Sequence, residues 1–335
     1  MPFPNPYGVL ARQRRRWYEA RPESRRRLEK PVVSVGALSV GGSGKTPVAA
    51  EVAEILATLG EHPSVLSRGY GRVQKVAGAV VVSDQGTLQA GIEVAGDEPF
   101  MLARRLSAAS VVVAEDRYVA GRLAETRLGA TVHVLDDGFQ HLALNRDVDL
   151  LVIGSEDLAD TRTLPFGRLR EPVDAAQRAD ALVVEGDDGA EVAARLGVPE
   201  VFHVSRRLGV PRDAETSEPV PLGPGAKVLA VAGIARPHAF VDGLTSAGYD
   251  VLDLMSFRDH HPYTRHDVGD IGKRLVATGA DHAVTTEKDV VRLLSHAPLD
   301  YPVLWVPLEI SLTSAERFRT WLQERLVAAR GDAER

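Results

Sequence analysis

A short apolar run, Val32–Val35, leads into Ser39-Val40-Gly41-Gly42-Ser43-Gly44-Lys45-Thr46. Beyond it Val48, Val52, Ile55, Leu56 and Leu59 recur at helical spacing before Gly60. Strand, glycine-rich turn, Lys-Thr and helix in this order constrain the chain more than any other feature. A continuous β-branched run fits a strand buried on both faces, as in a parallel sheet covered by helices. Glycines let the backbone turn sharply and bring its N–H groups to phosphate oxygens, and the helix N-terminus adds partial positive charge. In such a loop Lys45 reaches the β- and γ-phosphates and Thr46 ligates Mg2+, so Ser39, Val40, Gly41, Gly42, Ser43, Gly44, Lys45 and Thr46 are the candidate nucleotide-binding residues. One position departs from the usual spacing: Ser39 stands where a glycine is expected. The competing reading is a glycine-rich turn capped by Ser43 or Thr46.

A phosphate loop needs a carboxylate at the end of a neighbouring strand to hold the metal. Val132–Leu135 ends in Asp136-Asp137-Gly138. Asp-Gly after a strand is also a common turn, and only the company of the phosphate loop makes these two acids candidate magnesium ligands.

The other candidate strands are Ser64–Leu66, Ala79–Ser83, Val111–Ala114, Leu150–Ile153, Leu182–Val184 and Val201–Val204, with helical segments between them. This predicts an α/β, doubly wound, mostly parallel sheet over residues 1–209. Residues 210–226, rich in Pro, Gly and acids, read as a linker or exposed loop. A second, smaller α/β domain follows over 227–335: Val228–Ala232, a helix near Pro237–Ala247, Val251–Leu254, a helix near Val268–Thr278, Ala283–Thr285 and Val303–Val306. Ser314–Ala329 reads as a terminal helix that can pack back on the first domain.

Composition narrows the chemistry. Among 335 residues there is no cysteine, which excludes disulfides, thiolate zinc, iron–sulfur clusters and a cysteine nucleophile. The longest apolar runs, such as Val228–Ala235, fall far short of the roughly 18–20 residues of a membrane span, and no signal peptide opens the chain. The net charge of −6 is uneven: residues 1–30 carry nine bases against three acids, so a basic arm of +6 precedes a body of −12. An acidic body argues against nucleic acid as a partner. In the arm Tyr7, Leu10, Arg14, Trp17 and Tyr18 recur at helical spacing among arginines. Such a helix can lie on an anionic membrane surface or pack on its own domain, and the pattern leaves both open.

Asp97, between Gly96 and Glu98-Pro99, starts a helical segment through Met101, Leu102 and Leu106. By itself it reads first as a helix cap. Asp259-His260-His261 reads as an exposed loop or, less readily, as a metal site with His266 and Asp267. Glu287-Lys288-Asp289 lacks the spacing of a guanine-specificity motif.

The ordered blocks resemble the tetraacyldisaccharide 4′-kinase family. They are Gly41-Gly42-Ser43-Gly44-Lys45-Thr46-Pro47, Ser67-Arg68-Gly69-Tyr70-Gly71, Gly96-Asp97-Glu98-Pro99, Asp116-Arg117 and Asp136-Asp137-Gly138-Phe139-Gln140-His141. Leu164 to Pro172, Ala232 to Pro237, Asp259-His260-His261 and Thr286-Glu287-Lys288-Asp289 follow. Ala37, Phe166 and the arginine-rich start depart from the family pattern. The resemblance implies two α/β/α domains with the active site in the cleft between them. It also implies an enzyme that moves the γ-phosphate of Mg-ATP to the 4′-hydroxyl of an acylated glucosamine disaccharide 1-phosphate, giving lipid IV-A. Asp97 is then the general base. His260 is its partner from the second domain, brought to it by closure, with His261 as substitute. Lys45 and Arg170 serve the transferred phosphoryl group. Glu171 joins Thr46, Asp136 and Asp137 as a metal ligand, and Arg68, Arg117 and His261 contact substrate. The location implied is the cytoplasm, peripheral on the inner membrane's cytoplasmic face, with no obligate protein partner. The alternatives are a nucleotide-hydrolysing switch and a kinase of a small soluble acceptor.

Overall fold

Val32–Gly36 is buried at every position, and so are Pro63–Ser67, Ser110–Val113, Val132–Asp136 and Val148–Ile153. In the computed structural model, which describes residues 5–42, 44–74, 76–186 and 189–333, the chain forms two compact units. The first holds Met1–Ala95, Leu102–Ser205 and Ile310–Arg335; the second holds Gly96–Met101 and Arg206–Glu309.

The first unit is built on a ten-stranded sheet. Its order is Leu308–Leu312, Val201–Leu208, Ala181–Glu185, Val148–Ile153, Val32–Gly36, Val132–Asp136, Pro63–Ser67, Ser110–Val113, Val80–Asp84 and Thr87–Leu88. The seven strands from Val201–Leu208 to Ser110–Val113 run parallel. Burial on both faces explains why all of them but the half-exposed Val201–Leu208 read as apolar runs. Val80–Asp84 instead runs antiparallel at the edge, paired with Ser110–Val113 and Thr87–Leu88. Gln85 and Gly86 both have positive φ, 42° and 82°, and form the tight two-residue turn that folds Thr87–Leu88 back onto Val80–Asp84. Helix Lys45–Thr58 buries Val48, Ala49, Val52, Ala53, Ile55 and Leu56. The terminal helix Ala315–Ala333 belongs to this unit. Phe318 meets Phe202 edge to face at 4.9 Å, and Arg330 pairs with Glu61 at 2.8 Å.

The second unit has a five-stranded sheet ordered Arg212–Asp213, Val303–Val306, His282–Thr286, Lys227–Ala232 and Asp250–Ser256. All pairs are parallel except the first, where Arg212 and Asp213 lie antiparallel to Trp305 and Leu304. The segment 210–226 is therefore tied into this sheet, and Val220 and Leu222 pack on the core formed by Val228, Ala230, Phe240, Leu244 and Val284. It is a fastened edge of the second unit, which differs from the free linker expected of so many prolines and glycines.

Candidate active site

The phosphate loop leaves the sheet at the carboxyl end of Val32–Gly36. Gly36 is required there by close approach, since a Cβ on it would fall 2.5 Å from the Cβ of Phe139. In the loop Gly41, Gly42 and Gly44 have φ of 69°, 64° and 75°, a left-handed region that L side chains resist. Gly44 caps the helix whose first two residues are Lys45 and Thr46. Ser43 lies outside the described residues. Ser39 is fully buried and sits in an antiparallel bridge with Leu169, and the Val40 amide donates to the Arg168 carbonyl at 2.9 Å. These two residues brace the loop from behind, so the Val40 N–H is not presented to a phosphate. Gly41, Gly42, Gly44, Lys45 and Thr46 are the described residues left to cradle one.

Thr46 Oγ1 donates to Asp136 Oδ1 at 3.1 Å, and both residues are buried. A hydroxyl and a carboxylate at this separation are hard oxygen donors and fit a magnesium ion, which takes one or two carboxylates and completes its shell with phosphate and water. Asp137, held at φ 57°, is gripped by Arg170 through both carboxylate oxygens at 2.8 and 2.7 Å, and Arg170 also donates to the Ala37 carbonyl at 3.1 Å. Burial pushes the Asp137 carboxyl up, but the Arg170 hydrogen bonds and the charges of Lys45, Arg170 and Arg117 outweigh it, so the group sits below its ordinary range. Glu171 is not free to ligate metal: both its oxygens are held by Arg15, at 2.5 and 2.9 Å, and the pair is buried. That arginine comes from helix Pro6–Glu19, a long-range contact with no mark in the local pattern.

Arg117 is buried and donates to the Glu115 carbonyl at 3.1 Å. Burial and the neighbouring Arg68 charge lower its pKa, while Asp137 and Asp136 oppose them. Arg68 is exposed. The two arginines thus lie within electrostatic reach of each other, and Arg117 within reach of the aspartates as well.

The second cluster lies wholly in the second unit. Asp97 belongs to Gly96–Met101, which groups with that unit and not with the first. The expectation of a dyad spanning two domains is corrected accordingly: Asp97 and His260 meet within one unit, Asp97 Oδ2 lying 3.1 Å from His260 Nδ1 and 2.5 Å from Arg292 Nη2. The carboxylate is turned to these two partners. Burial alone raises its pKa, but hydrogen bonds from His260 and Arg292 outweigh it and hold the group below its ordinary range. Lys288 Nζ lies 3.0 Å from His260 Nε2 and 3.2 Å from Asp259 Oδ1. An ammonium and a guanidinium only donate, and Arg292 Nη2 lies 3.3 Å from His260 Nδ1, so each ring nitrogen of His260 faces a cation. His260 has a φ of 58°, a strained value for a residue with a side chain, of the kind that gathers at functional sites.

Behind this cluster Asp289 is fully buried. It accepts from the Gly233 amide at 3.0 Å, from Thr286 Oγ1 at 2.7 Å and from Arg292 Nη1 at 3.3 Å. Lys288 and Arg292 are four residues apart on helix Glu287–Leu293 and so share a face. That spacing is the one sequence signal from which Arg292, overlooked in the reading above, could have been found. His261 points elsewhere: its Nε2 lies 3.1 Å from Asp267 Oδ2 and its ring stacks on Phe257 at 4.8 Å. His260 is therefore the histidine brought to Asp97.

A family model described as Tetraacyldisaccharide-1-P 4'-kinase matches residues 1–327. The tetraacyldisaccharide 4'-kinase of Pelobacter propionicus is 39% identical over 309 residues, covering 88% of this chain and 82% of that one. Its counterpart from Geobacter metallireducens is 38% identical over 328 residues, covering 96% of both. Among solved structures, LpxK from Aquifex aeolicus, crystallised in complex with ATP, aligns with a TM-score of 0.77 at 33% identity over 96% of each chain.

Proposed function

This chain belongs to the tetraacyldisaccharide-1-P 4'-kinase family, ATP-dependent kinases of the lipid A disaccharide precursor, and from that premise we propose how its own residues carry the reaction. Gly41, Gly42 and Gly44 receive the phosphates of ATP, and Lys45 meets the β- and γ-phosphates. Thr46 and Asp136 hold Mg2+, which supplies positive charge to the triphosphate. Arg170, oriented by Asp137, steadies the charge that spreads over the γ-phosphoryl oxygens as transfer proceeds. Asp97 accepts the 4′-hydroxyl proton as the new O–P bond forms and the bond to the β-phosphate oxygen breaks, leaving ADP. Arg68 and Arg117 suit the 1-phosphate or the triphosphate by charge.

The observation that carries this reading is the Asp97 carboxylate, kept ionised and aimed by His260 and Arg292. The test is ATP turnover with and without the acylated disaccharide 1-phosphate, with the product's phosphates counted. Product bearing a second phosphate supports it. Acceptor-independent hydrolysis with no such product would overturn it in favour of a nucleotide-driven switch.

The role of Arg292 makes a pH prediction. In Arg292→Met, burial of Asp97 is opposed by His260 alone, so the carboxyl pKa rises. An essential carboxylate is then protonated at higher pH, and the acidic limb of the kcat profile should move upward. A limb that stays in place would show that Asp97 ionisation does not control turnover.

The N-terminal helix supports membrane contact. Tyr7, Leu10 and Trp17 are exposed on it, as is Phe166 in the loop that Asn5 bonds through Thr163 and Leu164. Among the described residues no helix is long and apolar enough to cross a membrane. We place these side chains at an anionic surface on the cytoplasmic face of the inner membrane, where the acyl chains of the substrate must be met. Leu10→Glu with Trp17→Glu should release the protein from anionic vesicles in a sedimentation assay while leaving its melting temperature unchanged. Equal sedimentation of both proteins would remove this helix from the contact.

A further inference from the structure

Arg15 is a buried cation on a helix otherwise studded with exposed arginines, only 6% of its surface being accessible. Its guanidinium makes three kinds of contact at once. Nε and Nη2 grip the Glu171 carboxylate at 2.5 and 2.9 Å, Nη2 also donates to the Phe139 carbonyl at 3.1 Å, and the group lies 4.6 Å from the centroid of the Phe139 ring. Glu171 follows Arg170 in the chain, and Phe139 stands two residues after Asp137. One side chain therefore ties together the two backbone segments that carry the Asp137–Arg170 pair. Phe139 is itself fully buried and lies against Gly36 at the mouth of the phosphate loop.

We propose that Arg15 is a positioning residue for phosphoryl transfer: by clamping Glu171 and Phe139 it fixes the placement of Arg170 toward the γ-phosphoryl group. It touches neither nucleotide nor acceptor and acts through Arg170, so the proposal rests on the reading of Arg170 given above. Only a planar fork can hold two carboxylate oxygens and a carbonyl while lying over a ring, and a lysine ammonium cannot. The physical consequence is a split between binding and turnover. The glycine loop and Lys45 remain to bind ATP, so KM for ATP should hold. The transition-state contact loosens, so kcat should fall.

The test uses the full chain and three variants. Arg15→Met alone leaves the Glu171 charge buried and unpaired, which threatens folding, so the first variant combines Arg15→Met with Glu171→Gln. The second is Arg15→Lys, which keeps the charge and loses the fork. The third, Arg170→Ala, tests the reading beneath the proposal. Turnover is expressed per nucleotide-binding site, measured by titration with a non-hydrolysable ATP analogue, so that a loss of folded protein does not register as a loss of kcat. The double variant should lose about 10²-fold in kcat, the scale of a misplacement of about 1 Å, with KM for ATP essentially unchanged. Arg15→Lys should lose at least tenfold, on the order expected when a bidentate clamp becomes a single contact. If Arg170→Ala is crippled but Arg15→Lys and the double variant turn over at the wild-type rate per site, the clamp is structural only and the proposal fails. If Arg170→Ala itself turns over normally, the assignment of Arg170 fails, and the proposal with it.

Discussion

Asp97→Asn is expected to lower kcat by about 10²–10⁴-fold, the usual contribution of a positioned general base. The substitution is close to isosteric, so the contact with Arg292 can persist through the remaining carbonyl oxygen, and helix Asp97–Arg105 keeps its start. What is lost is the anionic oxygen that takes the hydroxyl proton. ATP binding does not use that oxygen, so KM for ATP should stay within about twofold, the signature of an interaction made only in the transition state. Steady-state kinetics with varied ATP and saturating acceptor decides the matter. Wild-type turnover in Asp97→Asn would return this residue to the start of a helix and remove it from the chemistry.

Lys45→Ala should fail differently. Its ammonium stands at the first turn of helix Lys45–Thr58, where its positive charge helps hold the Asp137 carboxyl low and where the phosphates would meet the helix N-terminus. Removing it takes away attraction felt by bound ATP and by the transition state alike. The expectation is about 10²–10³-fold in kcat, the scale of one deleted electrostatic donor, together with about tenfold or more in KM for ATP. The contrast with Asp97→Asn is the informative part. A variant of Lys45 that binds nucleotide normally would mean that the loop amides alone set affinity.

The parts of this molecule that local chemistry determines could be read from residues alone. The glycines at 41, 42 and 44, the Lys-Thr pair and the apolar face of the following helix are dictated within a few residues, and each lies where its pattern requires. The place of Asp136 beside Thr46 was legible because a buried strand neighbouring the phosphate loop ends in that acid. Long-range pairing was not legible. Arg15 lies 156 positions from Glu171 and looks like one of many arginines in a basic arm. The strand Val80–Asp84 runs antiparallel to Ser110–Val113, yet its apolar run looks no different from those of its parallel neighbours. Asp97 joined the second unit because of contacts made by the six residues Gly96–Met101, too few to carry a compositional signature. His260 and His261 face different ways because of Lys288 and Asp267, partners 28 and 6 positions away.

The placement of the terminal helix has a consequence for biosynthesis. Leu308–Leu312 and Ala315–Ala333 follow the other strands of both units in the chain, yet they finish the sheet and cover Phe202 in the half of the molecule that holds the phosphate loop. On the ribosome that half waits with the row of hydrogen-bonding groups on Val201–Leu208 uncovered, whereas Arg206–Glu309 is complete within its own stretch of chain apart from six residues already synthesised. An open strand margin of this kind invites pairing with other nascent chains. These two elements therefore act as the closing seam of a sheet whose other strands are made before the second unit.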